Sequence, residues 1–397
     1  MASENSITPF EKRIKRHVTG RTQTFVVITS PGLEKAVFKE IQSLPSPPEK
    51  IEAGKGWVEF AGRLQSCYLT NLKLRTAHRV LLRLTAFKST NFRYLEKRLL
   101  SFPWELFLPC HPDVQVRVST KGSRLYHTGA ISDHVIKGVM KRLEADTHPS
   151  AGSSPSQPVR IFVRAVNDVF TLSLDSSGEL LYKRGIKTHH AHAPLRETIA
   201  SGALIMAGYD GTGPLIDPMC GAGTFALEAA MISAGMPPGW YRSFAFMDWP
   251  AFRPRQWAYL RRQEEKHIRS EPDGPLIFAS DIEAQACAML AESLETAGLA
   301  PRVRVERADF FDLSPRSISD TRGTVALNPP YGRRLGFPKE SDALFHDICR
   351  KLQSDYKGWR LALIAPAKHL IENIPFRMKV HRIYHGGLNV YLLTGVI

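Results

Sequence analysis

Cysteine is scarce and scattered in this sequence. The five residues Cys67, Cys110, Cys220, Cys287 and Cys349 form no C-x-x-C pair. That spacing excludes a disulfide framework and a zinc ribbon and suits a reducing compartment, so the cytoplasm is the expected location. Long apolar runs are missing as well. No stretch approaches the roughly 18 to 20 residues of a membrane span. The first twenty residues are polar and basic and lack the apolar core of a secretory signal. No tandem repeat is present, which excludes a solenoid. Acidic residues are under-represented in one half only. Residues 1–200 hold 30 Lys and Arg against 17 Asp and Glu, a net of +13, whereas residues 201–397 hold 23 against 21, a net of +2.

A basic half joined to a near-neutral half points to a polyanion-binding module attached to a second unit of different chemistry. Charge alone does not separate RNA from DNA or anionic lipid. At 397 residues, two or three compact units are expected. Residues 24–29 (TFVVIT) read as a strand, Pro31 and Gly32 as a turn, and Leu33 to Leu44 as an amphipathic helix; Gly56 to Phe60 read as the next strand. Residues 64–100 read as helical and rich in arginine, with Arg75, Arg79, Arg83, Arg93 and Arg98. Asp113 to Ser119 alternates as a strand does, a helix follows from Ser132 to about Leu143, and residues 147–158 have a loop composition. Strands return at Val159–Val166 and Val169–Leu174.

Beyond residue 190, long helical segments alternate with short apolar strands near residues 214–217, 276–280, 303–306, 324–327 and 359–364. That rhythm predicts a parallel sheet covered on both faces, with ligands bound beyond the carboxyl ends of its strands. Four strand ends carry chemistry. Asp217-Pro-Met-Cys-Gly-Ala-Gly-Thr224 is an acid, a Gly-x-Gly turn and a helix start. Gly221 and Gly223 there let the backbone approach a ligand closely. The same residues also fit a dinucleotide fingerprint or a purely structural turn. Asp281, 64 residues after Asp217, is placed to hold ribose hydroxyls or to cap a helix. Between the two lies a Trp- and Pro-rich insertion, Met236 to about Gly274, with a charged helix. Asp309 is followed by Phe310, an acceptor for an adenine amino group beside a ring to cover it.

Asn328-Pro-Pro-Tyr-Gly332 is the most specific of the four. Two prolines remove two N–H donors and fix the backbone. What remains are acceptors, the Asn328 side-chain oxygen and the Pro329 carbonyl, beside the aromatic face of Tyr331. Such a set suits a planar NH2 group and its ring. His189, His190 and His192 have no carboxylate or cysteine company, so no metal is expected.

With these motifs, the chain resembles the THUMP-containing class I methyltransferases that act on guanine N2 of ribosomal and transfer RNA, most closely the bacterial 23S rRNA branch. The likeness rests on Asp217–Thr224, Asn328–Gly332, Tyr182-Lys-Arg-Gly185, and Ala193-Pro-Leu-Arg-Glu-Thr198. In the first half it rests on Phe25–Leu33 and Ser132-Asp-His-Val-Ile-Lys-Gly-Val139. The resemblance implies an α/β chain with a Rossmann-like class I methyltransferase domain after an N-terminal α+β RNA-binding region, ferredoxin-like plus THUMP. The expected divisions are a basic tail (1–20), a ferredoxin-like segment (21–66), a THUMP domain (67–178) and the methyltransferase domain (179–397).

S-adenosylmethionine is then the expected cofactor. By the resemblance, Asp217 and the Gly221/Gly223 turn hold its methionine part, Asp281 its ribose, and Asp309 with Phe310 its adenine; Pro218, Thr224 and Ile282 are further cofactor contacts. Asn328 borders the cofactor and, with Pro329 and Tyr331, holds the target base. Lys121, Arg124, Lys137 and Lys141 are the candidate RNA contacts. The implied partner is RNA, ribosomal in preference to transfer, with no membrane and no metal. The family motif continues with Glu where this chain has Arg333. Methylation of protein glutamine or adenine N6, or a non-catalytic RNA-binding assembly factor, are the alternative readings.

Overall fold

The computed structural model describes residues 8–145, 157–186, 195–274, 276–330, 338–372 and 374–397. Their fourteen strands form two seven-stranded sheets.

The first sheet contains β1 (Gln23–Thr29), β2 (Ile51–Gly54), β3 (Trp57–Gly62), β4 (Ala77–Lys88), β5 (Val114–Lys121), β6 (Val159–Val166) and β7 (Val169–Asp175). Their order is β2-β3-β1-β4-β7-β6-β5, and only β5 and β6 run parallel. Phe25, Val27, Val80, Leu82, Ile161, Val163, Leu172 and Leu174 all point into one core. The helices Glu34–Gln42, Leu64–Lys73, Phe92–Ser101 and Thr128–Glu144 cover that face, inserting Val37, Cys67, Leu95 and Val135 among others. The opposite face carries no helix from this set.

The helix expected over residues 64–100 is in fact three elements. Its two ends are helices, but the middle is β4, the strand that joins β1 to β7. Leu81 and Leu82 are both buried, so the strand's apolar residues do not alternate cleanly. Leu82 enters the core, whereas Leu81 lies on the other face, at a hollow also lined by Trp57, Arg83 and Phe162. A register shift between Arg83 and Thr85 breaks the period again. Consecutive leucines then fit a helical repeat as well as a strand.

The second sheet contains β8 (Leu215–Asp217), β9 (Ile277–Asp281), β10 (Val303–Arg307), β11 (Thr324–Leu327), β12 (Arg360–Ala365), β13 (Lys379–His385) and β14 (Leu388–Val396). The order is β10-β9-β8-β11-β12-β14-β13. Strands β8 to β12 are parallel, and β14 runs antiparallel to both β12 and β13. Leu215 and Ala326 point to one apolar layer, and Ile216 with Val325 and Leu327 to the other. Burial on both faces is why these strands read as unbroken apolar runs. The final hairpin adds to the elements expected from sequence, although Gly386-Gly387, both at positive φ, is a strong hairpin turn.

The two halves are locked together. The insertion between β8 and β9 sends Phe244, Phe246 and Trp249 into the first core, where Phe246 stacks on Tyr68 at 4.6 Å between centroids. Arg184, from the Tyr182–Gly185 motif, is buried and donates to Glu228 at 2.8 Å and to the Arg75 carbonyl at 2.7 Å.

Candidate active site

Strand order reverses between β8 and β11, and at such a switch point an open α/β sheet leaves a crevice beyond its carboxyl ends. Val325 pairs with Ile216 across β11 and β8, while Asp217 pairs with Ala279 and Arg307 with Asp281. Neighbouring strands lie about 4.8 Å apart. The register therefore brings Asp217, Asp281, Asp309 and Asn328, four residues spread over 112 positions, onto one edge of one sheet.

At the first strand end, Asp217 Oδ2 accepts from the Ala226 N–H at 3.1 Å, inside the first turn of the helix Thr224–Ser233. Its other oxygen is buried and has no hydrogen-bond partner among the described residues. Burial pushes the Asp217 carboxyl up to about 8, and the neighbouring Asp281 charge adds to the rise against the opposing Ala226 hydrogen bond. A buried carboxyl with one free oxygen is a receptor for a cationic or hydrogen-donating group.

The glycine turn follows. Gly223, at φ +72°, stands at the start of the helix, and a Cβ there would meet Leu290 at 2.2 Å. Gly221, at φ +51°, faces open space, so its conformation demands glycine while its surroundings leave room for a ligand. Pro218 and Thr224 are buried beside this turn.

Asp281 accepts from the Gly221 N–H at 2.9 Å and from the Glu283 N–H at 3.0 Å. Ile282 next to it is 57% exposed, a large apolar side chain held out from the end of β9. Ser280, absent from the sequence reading, has a buried hydroxyl without a partner among the described residues. The one signal for it was its place directly before a strand-end acid.

At the third end, Asp309 caps a short helical turn through the Phe311 N–H at 2.9 Å. The aromatic assignment changes here. Phe310 is 1% exposed and packs on Tyr356 in the core, whereas Phe311 is 40% exposed. A helical turn that starts at residue 310 drives one ring inward and leaves its neighbour outside. Phe311 and Ile282 are exposed apolar side chains at these two strand ends.

At the fourth end, the Asn328 Oδ1 is buried and unpartnered among the described residues, and Pro329 is buried beside it. Tyr331 and Arg333, like His189, His190 and His192, lie outside the described residues. Among the described residues no group of three His, Cys, Asp or Glu side chains is arranged to hold a metal ion.

Lys121, Arg124, Lys137 and Lys141 are all exposed, but they do not share one face. Lys121 ends β5, and Arg124 follows in a loop whose backbone N–H is tied to Asp168 at 2.6 Å. Lys137 and Lys141 project from the helix that covers the core side of the sheet.

Residues 184–388 match the family model described as RMKL-like, methyltransferase domain, and residues 24–81 match the RlmL ferredoxin-like domain. A relative named Ribosomal RNA large subunit methyltransferase K/L from Syntrophotalea carbinolica is 28% identical over 93% of this chain and 53% of its own length. The protein of the same name from Marinomonas sp. is 30% identical, covering 91% of this chain and 51% of its own. The chain thus spans about half the length of these curated relatives. A crystal structure described as a possible methylase from Clostridium difficile superposes with a TM-score of 0.83 at 26% identity, over 94% of this chain and 98% of that one.

Proposed function

Because the chain belongs to the RMKL-like methyltransferase domain family, we propose that it transfers the methyl group of S-adenosylmethionine to the exocyclic N2 amino group of a guanine in structured RNA, ribosomal in preference to transfer. The observation that carries this reading is the buried, unpartnered Asn328 oxygen on the same strand-end edge as the unpartnered Asp217 oxygen. Two orphaned acceptors on one edge match a cationic donor on one side and an amino group on the other. Gly221 supplies the open space and Ile282 and Phe311 the apolar flanks that the nucleoside of this cofactor requires.

The cofactor, when bound, supplies an electrophilic methyl group. The chain's own task is to present the nucleophile, because a guanine amino lone pair is delocalised into its ring. Asn328 Oδ1 and the Pro329 carbonyl accept the two N–H bonds and hold the nitrogen with its lone pair directed at the methyl. Orientation of this kind is worth on the order of 7–11 kcal/mol. Turning the base out of a helix costs a few kcal/mol, and stacking on Tyr331 offsets about 1–3 kcal/mol of that. The proton released on methylation passes to solvent, so no dedicated base is assigned.

The relatives' names speak for RNA as the substrate class, and the net +13 of the first half supplies the electrostatic means to bind it. The ferredoxin-like segment and the THUMP-like residues 67–178 position RNA through its phosphates, in the cytoplasm.

Tritium transfer from labelled cofactor to total RNA of a deletion strain, followed by nucleoside analysis, tests the proposal. The expected result is label in N2-methylguanosine of large-subunit rRNA. Label in protein and none in RNA overturns it.

A further inference from the structure

The open face of the first sheet is not a solvated surface of ordinary composition. On β6, Ile161, Val163 and Ala165 enter the core, so Arg160, Phe162 and Arg164 project from the other side. Register then places Arg117 of β5 beside Phe162, Ser173 of β7 on its other flank, and Arg83 of β4 next to Ser173. Two adjoining hollows line this face. One, of about 340 Å³, reaches from Trp57 and Lys55 across Arg83 to Arg117, Phe162 and Arg164. The second, of about 570 Å³, is bordered by Arg160, Tyr182, Lys183 and Arg196. Both are lined by Ile28, Arg117 and Phe162, so they form one trough.

The trough has a direction. Its far end is Arg196, whose guanidinium lies over the Tyr182 ring at 5.2 Å and which directly precedes the helix Glu197–Met206. That helix ends beside the amino end of β12, where Arg360 donates to the Gly208 carbonyl at 2.8 Å. Its first turn, ten residues or about 15 Å away, is therefore on the carboxyl-end edge, where Asp217 and Asn328 stand.

We propose that this trough is the track for a single-stranded RNA segment, leading from the open sheet face to the strand-end edge of the methyltransferase half. Arginines spaced along a groove neutralise a phosphate backbone. Ring faces at Trp57, Phe162 and Tyr182 give unstacked bases partners that a duplex, with its bases already stacked, cannot use. Of the cations singled out from sequence, Lys121 shares this face through the alternation of β5, while Lys137 and Lys141 lie on the covered side. The proposal rests on the RNA reading above and names the surface that reading leaves unassigned.

The test uses the full chain, a fluorescein-labelled single-stranded oligoribonucleotide and its duplex, and anisotropy over a salt series. R117Q/R164Q is expected to weaken single-strand binding about tenfold and to reduce the salt slope by about 1.4, about 0.7 for each phosphate no longer neutralised. Phe162→Leu, which keeps an apolar side chain against Arg79, is expected to weaken it about fivefold with the slope unchanged. Both variants should keep the wild-type thermal shift with S-adenosylhomocysteine, which reports an intact second half. Unchanged single-strand affinity in both variants overturns the track, as does an equal loss on the duplex. If the wild type binds and methylates RNA while the variants bind equally well, the track alone fails. A wild type that binds no RNA at low salt removes the functional reading and the track with it.

Discussion

The carboxylate of Asp281 accepts a hydrogen bond from the Gly221 N–H at 2.9 Å, so the end of β9 holds the glycine turn that follows β8. One acid thereby shapes the open side of the turn, and its remaining acceptor capacity is the group proposed to meet the cofactor ribose. Asp281→Ala is expected to weaken S-adenosylhomocysteine binding about 10- to 100-fold, the range for losing a hydrogen bond to a charged group. RNA affinity should not move. Calorimetry with the cofactor product and anisotropy with RNA separate the two, and equal loss of both would count against this role.

Asn328→Ala removes the buried, unpartnered oxygen proposed to accept from the target amino group. The methyl-transfer rate is expected to fall about 100-fold or more, because orientation of the nitrogen is lost. Cofactor and RNA affinities are expected to stay near wild type. Single-turnover transfer with saturating RNA reads this directly, and an unchanged rate would remove Asn328 from the reaction.

Asp217 carries a pH signature. Burial raises its carboxyl from the ordinary 3.8 to about 8 in the folded protein. Between about pH 4 and about pH 8 the folded chain therefore binds more protons at this residue than the unfolded chain, and stability from this group falls as pH rises. Asp217→Asn should remove that decline. Urea unfolding of the ligand-free wild type and variant at both ends of the window gives the comparison, and parallel pH profiles would contradict it.

The two neighbouring phenylalanines differ in burial, Phe310 inside the core and Phe311 exposed. Phe310→Ala opens a cavity beside Tyr356 and is expected to cost about 3–5 kcal/mol of stability. Phe311→Ala, at an exposed ring, is expected to leave stability within about 0.5 kcal/mol and to weaken cofactor binding. Denaturant midpoints and cofactor titration on both variants decide which ring has which role.

Glu228 sits at the joint of the two halves, 1% exposed, accepting from Arg184 and Ser201 with Arg75 nearby. Glu228→Ala leaves buried guanidinium charge without its partner, a loss of about 3–5 kcal/mol. Chemical denaturation measures it, and a neutral substitution would show that the joint does not depend on this pair.

Local chemistry made the strand-end motifs legible. An apolar strand closing in Asp217, two glycines at positive φ, and two prolines after Asn328 each impose backbone geometry within a few residues, so their positions on a parallel sheet could be read without neighbours. The charge division between the halves was equally plain. What needed the tertiary structure was everything set by contact between distant segments. β4 is hidden in sequence because Leu81, on the open face, is nearly as buried as Leu82 in the core. Phe310 and Phe311 have the same chemistry, and the short helical turn with the core around Tyr356 decides which ring is buried. Arg184 is one arginine among many until Glu228, 44 residues later, closes on it. The trough of Arg117, Phe162 and Arg83 exists because strand order β4-β7-β6-β5 sets side by side residues whose separations in sequence carry no period. Local backbone preference travels along the chain, but a surface belongs to the register between strands.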